Sequence, residues 1–533
     1  MENNHMILNG EMLIGASAVR GNAGSQLAFN PATNTDIPQP VFYLGGRQEV
    51  ERAAQLADEA LDAYRHLPLS SRAAFLESIA DNIMGIGDVL LERAHAETGL
   101  PIARLQGERG RTVGQLRLFA QVVRDGHFLS ATIDTAQPER EPLPRADLRL
   151  AKIPLGPVAV FGASNFPLAF SVAGGDTAAA LAAGAPVIVK AHSAHLGTSE
   201  LVGRAIQKAV SEHGLPEGVF SLLFGRGREV GEQLVAHPLI KAVGFTGSRQ
   251  GGLALMQIAA NRPEPIPVYA EMSSINPVFV MPAALSRRGA EIARGLADSL
   301  TLGAGQFCTN PGLILAIDSP QLEPFLQSVA DAVREKQVQT MLTGPIHEAY
   351  VAGNARVQMA DGVQTVGLGL DADDKSNAAR AAVYATDVSR FLENTDLHAE
   401  MFGPATIIVR AKNMEELVQL AQALEGQLTA TLHIEPDDYP AVARLMPLLE
   451  RKAGRILVNG FPTGVEVCHA MVHGGPFPAS SNAMFTSVGA SAIDRFLRPV
   501  CYQDMPDELL PEPLKRNNSI GIFRLIDGEF RKG

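Results

Sequence analysis

The chain contains 533 residues, so roughly 150 residues per domain predicts two to four domains with a large buried core. Lys and Arg number 45 against 57 Asp and Glu, and the resulting net charge of -12 disfavours nucleic acid as the main partner. Hydrophobic residues make up 46% and charged residues 19%, as in ordinary globular proteins, which excludes disorder for most of the chain.

The N-terminal segment lacks a basic region followed by an apolar core, so secretion is not expected. Residues 48–125 repeat apolar side chains three and four positions apart, which predicts helices. Residues 127–156 are polar and contain prolines until ADLRLAKIPLG, whose alternation predicts a strand. Prolines interrupt the uncharged stretch 153–175, which is therefore expected to be buried core and not a membrane span.

Strands and helices alternate from residue 157 to about residue 260, with VAVFGAS, VIVK, VFSLLFG and KAVGFTGS as the strand segments. This alternation predicts right-handed crossovers and a parallel sheet covered by helices on both faces. Ligands of such sheets bind at the carboxyl ends of the strands. A second alternating region, 276–470, predicts another α/β unit, and the strand-like tail 500–533 is expected to pair with another element or subunit.

The three cysteines, Cys308, Cys468 and Cys501, are scattered without a CxxC pair, so neither a disulfide framework nor a zinc cluster is expected. A reducing, cytoplasmic compartment fits this usage best. Cys308 lies in LGAGQFCTNPG, where backbone N–H groups at a tight turn could stabilise a thiolate and an oxyanion. Judged alone, such a cysteine is more often inert core.

Two further polar residues follow strand-like runs. Glu271, in PVYAEMSSINP, could act as a general base if it is desolvated, although an N-cap or an ion pair is the commoner role. Asn165, in FGASNFP, could polarise a carbonyl group, although a turn asparagine is the commoner reading. The segment GFTGS could present N–H groups to phosphate, but it lacks GxGxxG spacing and is a weak signal alone.

Taken together and in order, six segments resemble the aldehyde dehydrogenase superfamily. The likeness runs from FNPAT (29–33) to the C-terminal region, and six ordered matches make chance very improbable, which overrides the isolated reading of each residue. The segments are SNFP (164–167), VIVK (187–190), GFTGS (244–248), Glu271, GQFC (305–308) and EMFGP (400–404).

The resemblance implies that Cys308 is the nucleophile, Asn165 the oxyanion donor and Glu271 the base that activates water. The thiolate would attack an aldehyde, hydride would pass to a nicotinamide, and hydrolysis of the thioester would release a carboxylic acid. It also implies a set of cofactor contacts. These are Lys190 and Ser193 near the adenosine ribose, Gly244 and Ser248 near the pyrophosphate, and Glu400 and Phe402 at the nicotinamide ribose.

The same resemblance implies an α/β fold in three parts and a homo-oligomer, either a dimer or a tetramer. A Rossmann-like parallel-sheet cofactor domain would comprise residues 1–126 and 157–275, and the α/β catalytic domain residues 276–480. Residues 127–156 and 481–533 would form a small β element for oligomerisation.

Departures from the common family pattern sharpen the expectation. EMSSINP, KAHS, HGGPFPAS and the tail RFLRPVCYQDMP look like the branch that contains α-ketoglutaric semialdehyde (2,5-dioxovalerate) dehydrogenases. Ser193 occupies a position where relatives that prefer NAD usually carry Glu, whose charge would repel a 2′-phosphate. We therefore expect NADP to be preferred, with NAD possible.

A substrate with a distant carboxylate would need a fixed guanidinium, and Arg109, Arg111 and Arg117 are candidates, although a solvated role is commoner for each. The main alternative is an NADP-dependent dehydrogenase of medium- or long-chain aliphatic aldehydes. A thiol hydrolase would pair Cys308 with His469 or His473. A protein that keeps the fold without turnover would be expected to lack Cys308, Glu271 or Asn165, and all three are present. No metal and no membrane partner is expected.

Overall fold

A computed structural model describes residues 8–371 and 375–532 of the chain, and its first sheet has seven strands. Five of them are parallel, and their Ala, Val and Ile residues are buried on both faces, as expected for a sheet covered by helices. Two short antiparallel strands extend one edge. In spatial order the strands are Val268–Glu271, Ala242–Thr246, Val158–Phe161, Val187–Lys190, Phe220–Leu223, Met12–Ile14 and Ser17–Val19.

Helices cover both faces of this sheet, and their buried side chains join the strands in one large hydrophobic core. Six of the nine residues of Gly175–Ala183 are Ala or Gly, so the helix packs closely against its surroundings, and every residue except Asp176 is buried. The helices are Arg47–Arg65, Leu69–Gly85, Asp88–Thr98, Ile102–Asp125, Gly175–Ala183, Leu196–Glu212, Glu232–Ala236 and Arg249–Ala260.

A second seven-stranded sheet lies in the region 276–470, where the sequence predicted it. All neighbouring strands are parallel except the pair Gln364–Leu368 and Ala382–Asp387. In spatial order the strands are Gln364–Leu368, Ala382–Asp387, Ala405–Ala411, Leu313–Ile317, Val278–Val280, Gln427–His433 and Ala453–Val458. The helices are Pro282–Thr301, Leu322–Arg334, Gly344–Met359, Val388–Glu393, Met414–Ala423 and Tyr439–Leu449.

A third sheet joins the predicted excursion to the tail. Its strands, in order, are Leu497–Gln503, Leu148–Pro154, Thr132–Asp134, Arg524–Ile526 and Glu529–Arg531. Two small sheets pair Ser25–Asn30 with Thr35–Tyr43 and Gln339–Thr340 with Ala378–Ala379. The predicted α/β class is therefore confirmed. Among the described helices, none combines the length and apolar character that a membrane span requires.

The backbone before Cys308 makes a tight left-handed turn. Gly303, Ala304 and Gly305 have φ values of 56°, 57° and 66°. A Cβ at Gly305 would lie 2.4 Å from both the carbonyl carbon of Gly403 and the nitrogen of Pro404. Glycine is therefore needed at 305 for both its conformation and its close backbone contact.

Replacement of Gly305 by Ala should destabilise the protein by about 2–4 kcal/mol, because a left-handed alanine is strained and its methyl group overlaps the backbone of Gly403 and Pro404. Urea unfolding followed by circular dichroism measures the change. Gly114→Ala is the matched control, since Gly114 is an exposed helical residue with no atom within 4 Å of its Cβ position. That variant should gain about 0.5–1 kcal/mol. Equal stability of the two variants would contradict the conclusion that position 305 requires glycine.

Candidate active site

The structure brings Cys308 and Glu271 together and places a histidine between them. Glu271 ends the strand Val268–Glu271, whereas Cys308 lies in the loop before Leu313–Ile317. His473 Nε2 is 3.3 Å from Cys308 Sγ and 2.9 Å from Glu271 Oε1. The three side chains thus form a contiguous thiol, imidazole and carboxylate.

The imidazole and the carboxylate are held from the segment that contains residues 486 and 487. Ser487 donates a hydrogen bond of 2.6 Å from Oγ to Glu271 Oε2, and its backbone N–H donates to the carbonyl of His473 at 2.8 Å. The backbone N–H of His473 donates to Thr486 Oγ1 at 2.8 Å. Glu271 and His473 are only 3% and 1% exposed, so water scarcely competes for these contacts.

The charges in this group are coupled. Burial raises the pKa of Glu271, but the charge of His473 and the hydrogen bonds from His473 and Ser487 outweigh it and bring that pKa below its usual value. Burial and the charge of Glu271 raise the pKa of Cys308 well above the usual thiol value. At neutral pH the cysteine is therefore a thiol beside a carboxylate, and its proton needs an acceptor. His473 Nε2 is the nitrogen in contact with that thiol.

Asn276 fixes the loop that carries the nucleophile. Its Nδ2 donates to the carbonyl groups of Cys308 and Asn310 at 2.8 and 2.9 Å. Its Oδ1 accepts from Thr429 Oγ1 at 3.0 Å, which ties the loop to the strand Gln427–His433. Asn276 itself has a left-handed backbone with φ 47°, a conformation that asparagine tolerates better than most residues.

The unusual EMSSINP segment has a packing explanation. Ser274 Oγ lies 3.0 Å from Gln427 Oε1 and accepts a hydrogen bond of 3.0 Å from the backbone N–H of Leu428. The sulfur of Met272 packs against Gly252, where a Cβ would lie only 2.7 Å away. These side chains connect the end of the first sheet to the second sheet and to the helix Arg249–Ala260.

Asn165 lies beside the cysteine loop. The side-chain Nδ2 of Asn165 donates to the backbone carbonyl of Gln306 at 3.0 Å. The backbone carbonyl of Asn165 accepts a hydrogen bond of 2.7 Å from Arg104 Nη2. The side chain is only 7% exposed. An amide nitrogen carries two hydrogens, so the bond to Gln306 leaves one available for a ligand oxygen.

Two adjoining cavities, of about 390 and 230 Å³, lead to the thiol. Arg111, Phe166, Leu302 and Phe307 line both of them. The smaller cavity includes Cys308 and His473, whereas Arg104 and Glu108 line the larger one.

Buried polar atoms around these cavities lack protein partners. Arg111 donates to the carbonyl of Val465, but its Nε and Nη2 have no hydrogen-bond partner among the described residues. The same holds for Nη1 of Arg104 and Oε2 of Glu108. Such atoms are costly to bury unless a ligand or water satisfies them, so they mark a site for a polar ligand.

The three predicted arginines separate in space. Only Arg111 lines the cavities. Arg109 donates to the carbonyl of Gly87 at 2.8 Å, and Arg117 forms an exposed ion pair with Asp81 at 2.9 Å, so the expectation that they bind substrate needs correction. The sequence did not suggest Arg104 as a cavity residue. Arg104, Glu108 and Arg111 are nevertheless four and then three residues apart, a spacing that places side chains on one face of a helix.

Three predicted cofactor residues, Lys190, Ser193 and Ser248, lie at or just after the carboxyl ends of two parallel strands. Lys190 ends Val187–Lys190, and no hydrogen bond or ion pair links its Nζ to another described residue. Burial lowers its pKa to about 8. Ser248 caps the helix Arg249–Ala260, accepting a hydrogen bond of 3.2 Å from the N–H of Gly251. Ser193 begins a short turn, and its carbonyl accepts a hydrogen bond of 3.2 Å from Gln26 Nε2.

The structure shows the surroundings of two further predicted cofactor residues, Gly244 and Glu400. A Cβ at Gly244 would lie 2.9 Å from the carboxyl group of Asp176, so helix packing already requires glycine there. Glu400, followed by the half-buried Phe402, comes from the second unit, and burial raises its pKa to about 8. The negative charge of Glu400 also contributes to the raised pKa of Cys308, so the two groups lie near each other.

Comparison with known proteins identifies the family. Residues 19–497 match the model described as "Aldehyde dehydrogenase family". The chain belongs to the aldehyde dehydrogenase family. Its predicted activity, NAD(P)-dependent oxidation of an aldehyde to a carboxylic acid, is confirmed at that level.

Two relatives and one solved structure illustrate the likeness. The α-ketoglutaric semialdehyde dehydrogenase 2 of Azospirillum brasilense is 63% identical over 98% of this chain and 100% of its own. An α-ketoglutaric semialdehyde dehydrogenase from Acinetobacter baylyi is 50% identical over 98% of both chains. The structure of a betaine aldehyde dehydrogenase from Staphylococcus aureus in complex with NAD⁺ shares the fold, with a TM-score of 0.80 and 21% identity over 94% of this chain and 98% of that one.

The coupled charges predict how Cys308 reacts with iodoacetamide. Its alkylation rate should rise with pH through an apparent pKa above the ordinary thiol value, because both burial and Glu271 disfavour the thiolate. In Glu271→Gln the rise should move to lower pH, since the neighbouring charge is gone. The rates are measured by mass spectrometry of the Cys308 peptide between pH 6 and about pH 10, a range around ordinary thiol values.

The control is Glu264→Gln, which removes a surface carboxylate paired with Lys241. It should leave the alkylation profile of Cys308 unchanged. An identical profile in Glu271→Gln and the parent protein would show that Glu271 does not set the reactivity of the thiol.

Proposed function

We propose that this aldehyde dehydrogenase oxidises 2,5-dioxopentanoate, also called α-ketoglutaric semialdehyde, to 2-oxoglutarate with NADP. The observation that carries the substrate assignment is Arg111, whose buried guanidinium lines both cavities beside Cys308 and has two nitrogens without a partner among the described residues. A planar guanidinium matches a carboxylate at the far end of a short aldehyde. The names of the two relatives with 63% and 50% identity support the same substrate.

The first step follows from the contacts of the thiol. Glu271, which accepts a hydrogen bond from the Cys308 thiol, takes its proton and passes it to solvent, while the contact with His473 Nε2 stabilises the charged carboxylate. The thiolate then attacks the aldehyde carbon and forms a thiohemiacetal. The free N–H of Asn165 donates to the developing oxyanion and stabilises its negative charge.

The second step regenerates the cysteine. NADP supplies, when bound, the hydride acceptor that converts the thiohemiacetal to a thioester. Glu271, a buried carboxylate kept ionised by its hydrogen bonds, accepts a proton from the attacking water. Water adds to the thioester carbon, the C–S bond breaks, and Cys308 leaves as it is protonated.

The residues at the first sheet's carboxyl edge fit a phosphorylated dinucleotide. A nearly buried Lys190 whose Nζ meets no described partner suits an anionic ligand, and the capped N-terminus of Arg249–Ala260 suits a pyrophosphate. Ser193 places no negative charge beside Lys190. These observations support NADP over NAD.

The alternative substrate is a medium- or long-chain aliphatic aldehyde. Phe166, Leu302 and Phe307 give the cavities apolar walls that an alkyl chain could contact. The unpaired atoms of Arg104, Glu108 and Arg111 would then remain buried without partners, which is unfavourable. A thiol hydrolase is disfavoured by the family, although His473 does contact Cys308 as that reading required.

The proposed oligomeric state, compartment and domain roles rest on the three sheets and the cysteines. We propose a homo-oligomer in a reducing, cytoplasmic compartment, with the first sheet binding the cofactor, the second carrying Cys308 and the third mediating assembly. In the third sheet, Leu497–Gln503 is an edge strand with several exposed residues, as a pairing strand would be. Cys308, Cys468 and Cys501 are all free thiols, as expected in reducing conditions.

Arg111→Gln should raise KM for 2,5-dioxopentanoate about 10- to 100-fold, because it removes a charged hydrogen-bond donor to the distal carboxylate. KM for pentanal, which lacks that carboxylate, should change little. Initial rates of reduced-cofactor formation measure both. Arg117→Gln is the matched control and should behave as the parent, since Arg117 pairs with Asp81 at the surface. Equal effects of Arg111→Gln on the two aldehydes would refute the assignment.

The parent enzyme should have a higher kcat/KM with NADP than with NAD. Ser193→Glu should lower the ratio of NADP to NAD efficiency at least about tenfold, because a carboxylate there repels a 2′-phosphate. Ser211→Glu, on an exposed helical position, adds the same charge elsewhere and should leave the ratio unchanged. A strong NAD preference in the parent enzyme would overturn the cofactor assignment.

A further inference from the structure

The contact among Cys308, His473 and Glu271 also has the composition of a metal site. One ligand atom from each residue, a sulfur, an imidazole nitrogen and a carboxylate oxygen, lies within 4.8 Å of the other two. Thiolate, imidazole and carboxylate are the three side-chain ligands that Zn²⁺ uses. The described residues therefore offer three different zinc ligands at one point.

The separations in the structure are slightly shorter than those of tetrahedral coordination. Zinc bonds of about 2.3 Å to sulfur and about 2.0–2.1 Å to nitrogen or oxygen place neighbouring ligands about 3.4–3.6 Å apart. Cys308 Sγ and His473 Nε2 are 3.3 Å apart, and His473 Nε2 and Glu271 Oε1 are 2.9 Å apart. Small side-chain shifts would therefore accommodate the ion. The 230 Å³ cavity that borders Cys308 and His473 leaves room for water as the fourth ligand.

We propose that Cys308, His473 and Glu271 together bind Zn²⁺, and that the ion inhibits the enzyme reversibly by occupying its nucleophile and its base. On binding, the S–H bond of Cys308 breaks and His473 Nε2 loses the hydrogen that it directs at Glu271; both protons pass to solvent, sulfur–zinc and nitrogen–zinc bonds form, and no oxidation state changes. A thiolate, a carboxylate and a neutral imidazole carry two negative charges, which the ion cancels. That balance favours binding in a buried site.

Other charges near the site oppose one another. Arg111 and Arg455 lie close enough to interact with Cys308, and so does the carboxyl group of Glu400. The site therefore does not depend on a general negative field, and its affinity must come from the three ligands. Zinc would be an inhibitor and not a participant in the reaction, which needs Cys308 and Glu271 free. Metal binding is independent of the proposed substrate, whereas the inhibition rests on the proposed function.

The test uses Co²⁺ as a coloured substitute for Zn²⁺ in protein without aldehyde or cofactor. The parent for these measurements is Cys468→Ser/Cys501→Ser, which removes the other two thiols and should retain activity. We expect one Co²⁺ per chain with a thiolate-to-cobalt absorption band, which one equivalent of Zn²⁺ displaces. Cys308→Ala should lose the band. His473→Gln and Glu271→Gln should each weaken binding at least about tenfold, because each removes a ligand.

His469→Gln is the matched control, because His469 is exposed and should not affect binding. Circular dichroism melts verify that every variant is folded. Unchanged Co²⁺ affinity in His473→Gln, or no charge-transfer band in the parent, would overturn the three-ligand site.

Steady-state rates then test inhibition. Zn²⁺ should raise the apparent KM for aldehyde, and EDTA should restore the parent rate. Tight binding without inhibition would overturn the inhibitory part of the proposal. Cobalt binding in a protein that fails to oxidise 2,5-dioxopentanoate would contradict the proposed substrate alone, whereas normal oxidation without cobalt binding would contradict the zinc site alone.

Discussion

The contact between Glu271 and His473 is the interaction on which the site depends. A carboxylate that is 3% exposed cannot stay charged without compensation, and here the imidazole and the hydroxyl of Ser487 provide it. Breaking such a pair by removing one partner would leave the other buried and unsatisfied. Because the two residues are about 200 positions apart in sequence, the contact that keeps the buried base charged forms only once the chain has folded.

The same contact links acid–base chemistry to domain geometry. Glu271 ends a strand of the first sheet, whereas the loop of Cys308 is attached through Asn276 and Thr429 to the second sheet. Ser274, which follows Glu271 closely, reaches Gln427 at the start of Gln427–His433. A displacement of one sheet relative to the other would therefore change the distance from base to thiol. The hydrogen bonds of Asn276 and Ser274 fix the segment EMSSINP between the two sheets.

Strand-end residues could be predicted from sequence because parallel strands align their carboxyl ends. Asn165, Lys190 and Glu271 each follow or end a buried run, and periodicity together with the motif order placed them correctly relative to the first sheet. The α/β class followed from the same alternation. Arg111 could not be separated from Arg109 and Arg117 in this way, because a helix face becomes a cavity wall only when another element covers it.

His473 shows a different limit. It lies in an irregular segment between Ala453–Val458 and Leu497–Gln503, where no periodicity indicates which way a side chain points. The sequence therefore suggested it only as a partner for a hydrolase. Its proximity to Cys308 depends on backbone bonds to Thr486 and Ser487, which are non-local contacts within a turn-rich segment.

The net charge of -12 makes the local cations decisive. An anionic cofactor and an anionic aldehyde both approach a protein whose overall field repels them, so attraction must arise at short range, where screening by salt is weakest. On the proposed function, Lys190 meets the cofactor and Arg111 the aldehyde, and their partial burial strengthens the interaction with a bound anion while costing solvation in the free enzyme. Glu108, on the same helix face as Arg111, offsets part of that cost through its negative charge. On the proposed function, selectivity for a carboxylated aldehyde follows from one guanidinium whose two free nitrogens lie in the cavity beside the thiol, and not from the charge of the protein as a whole.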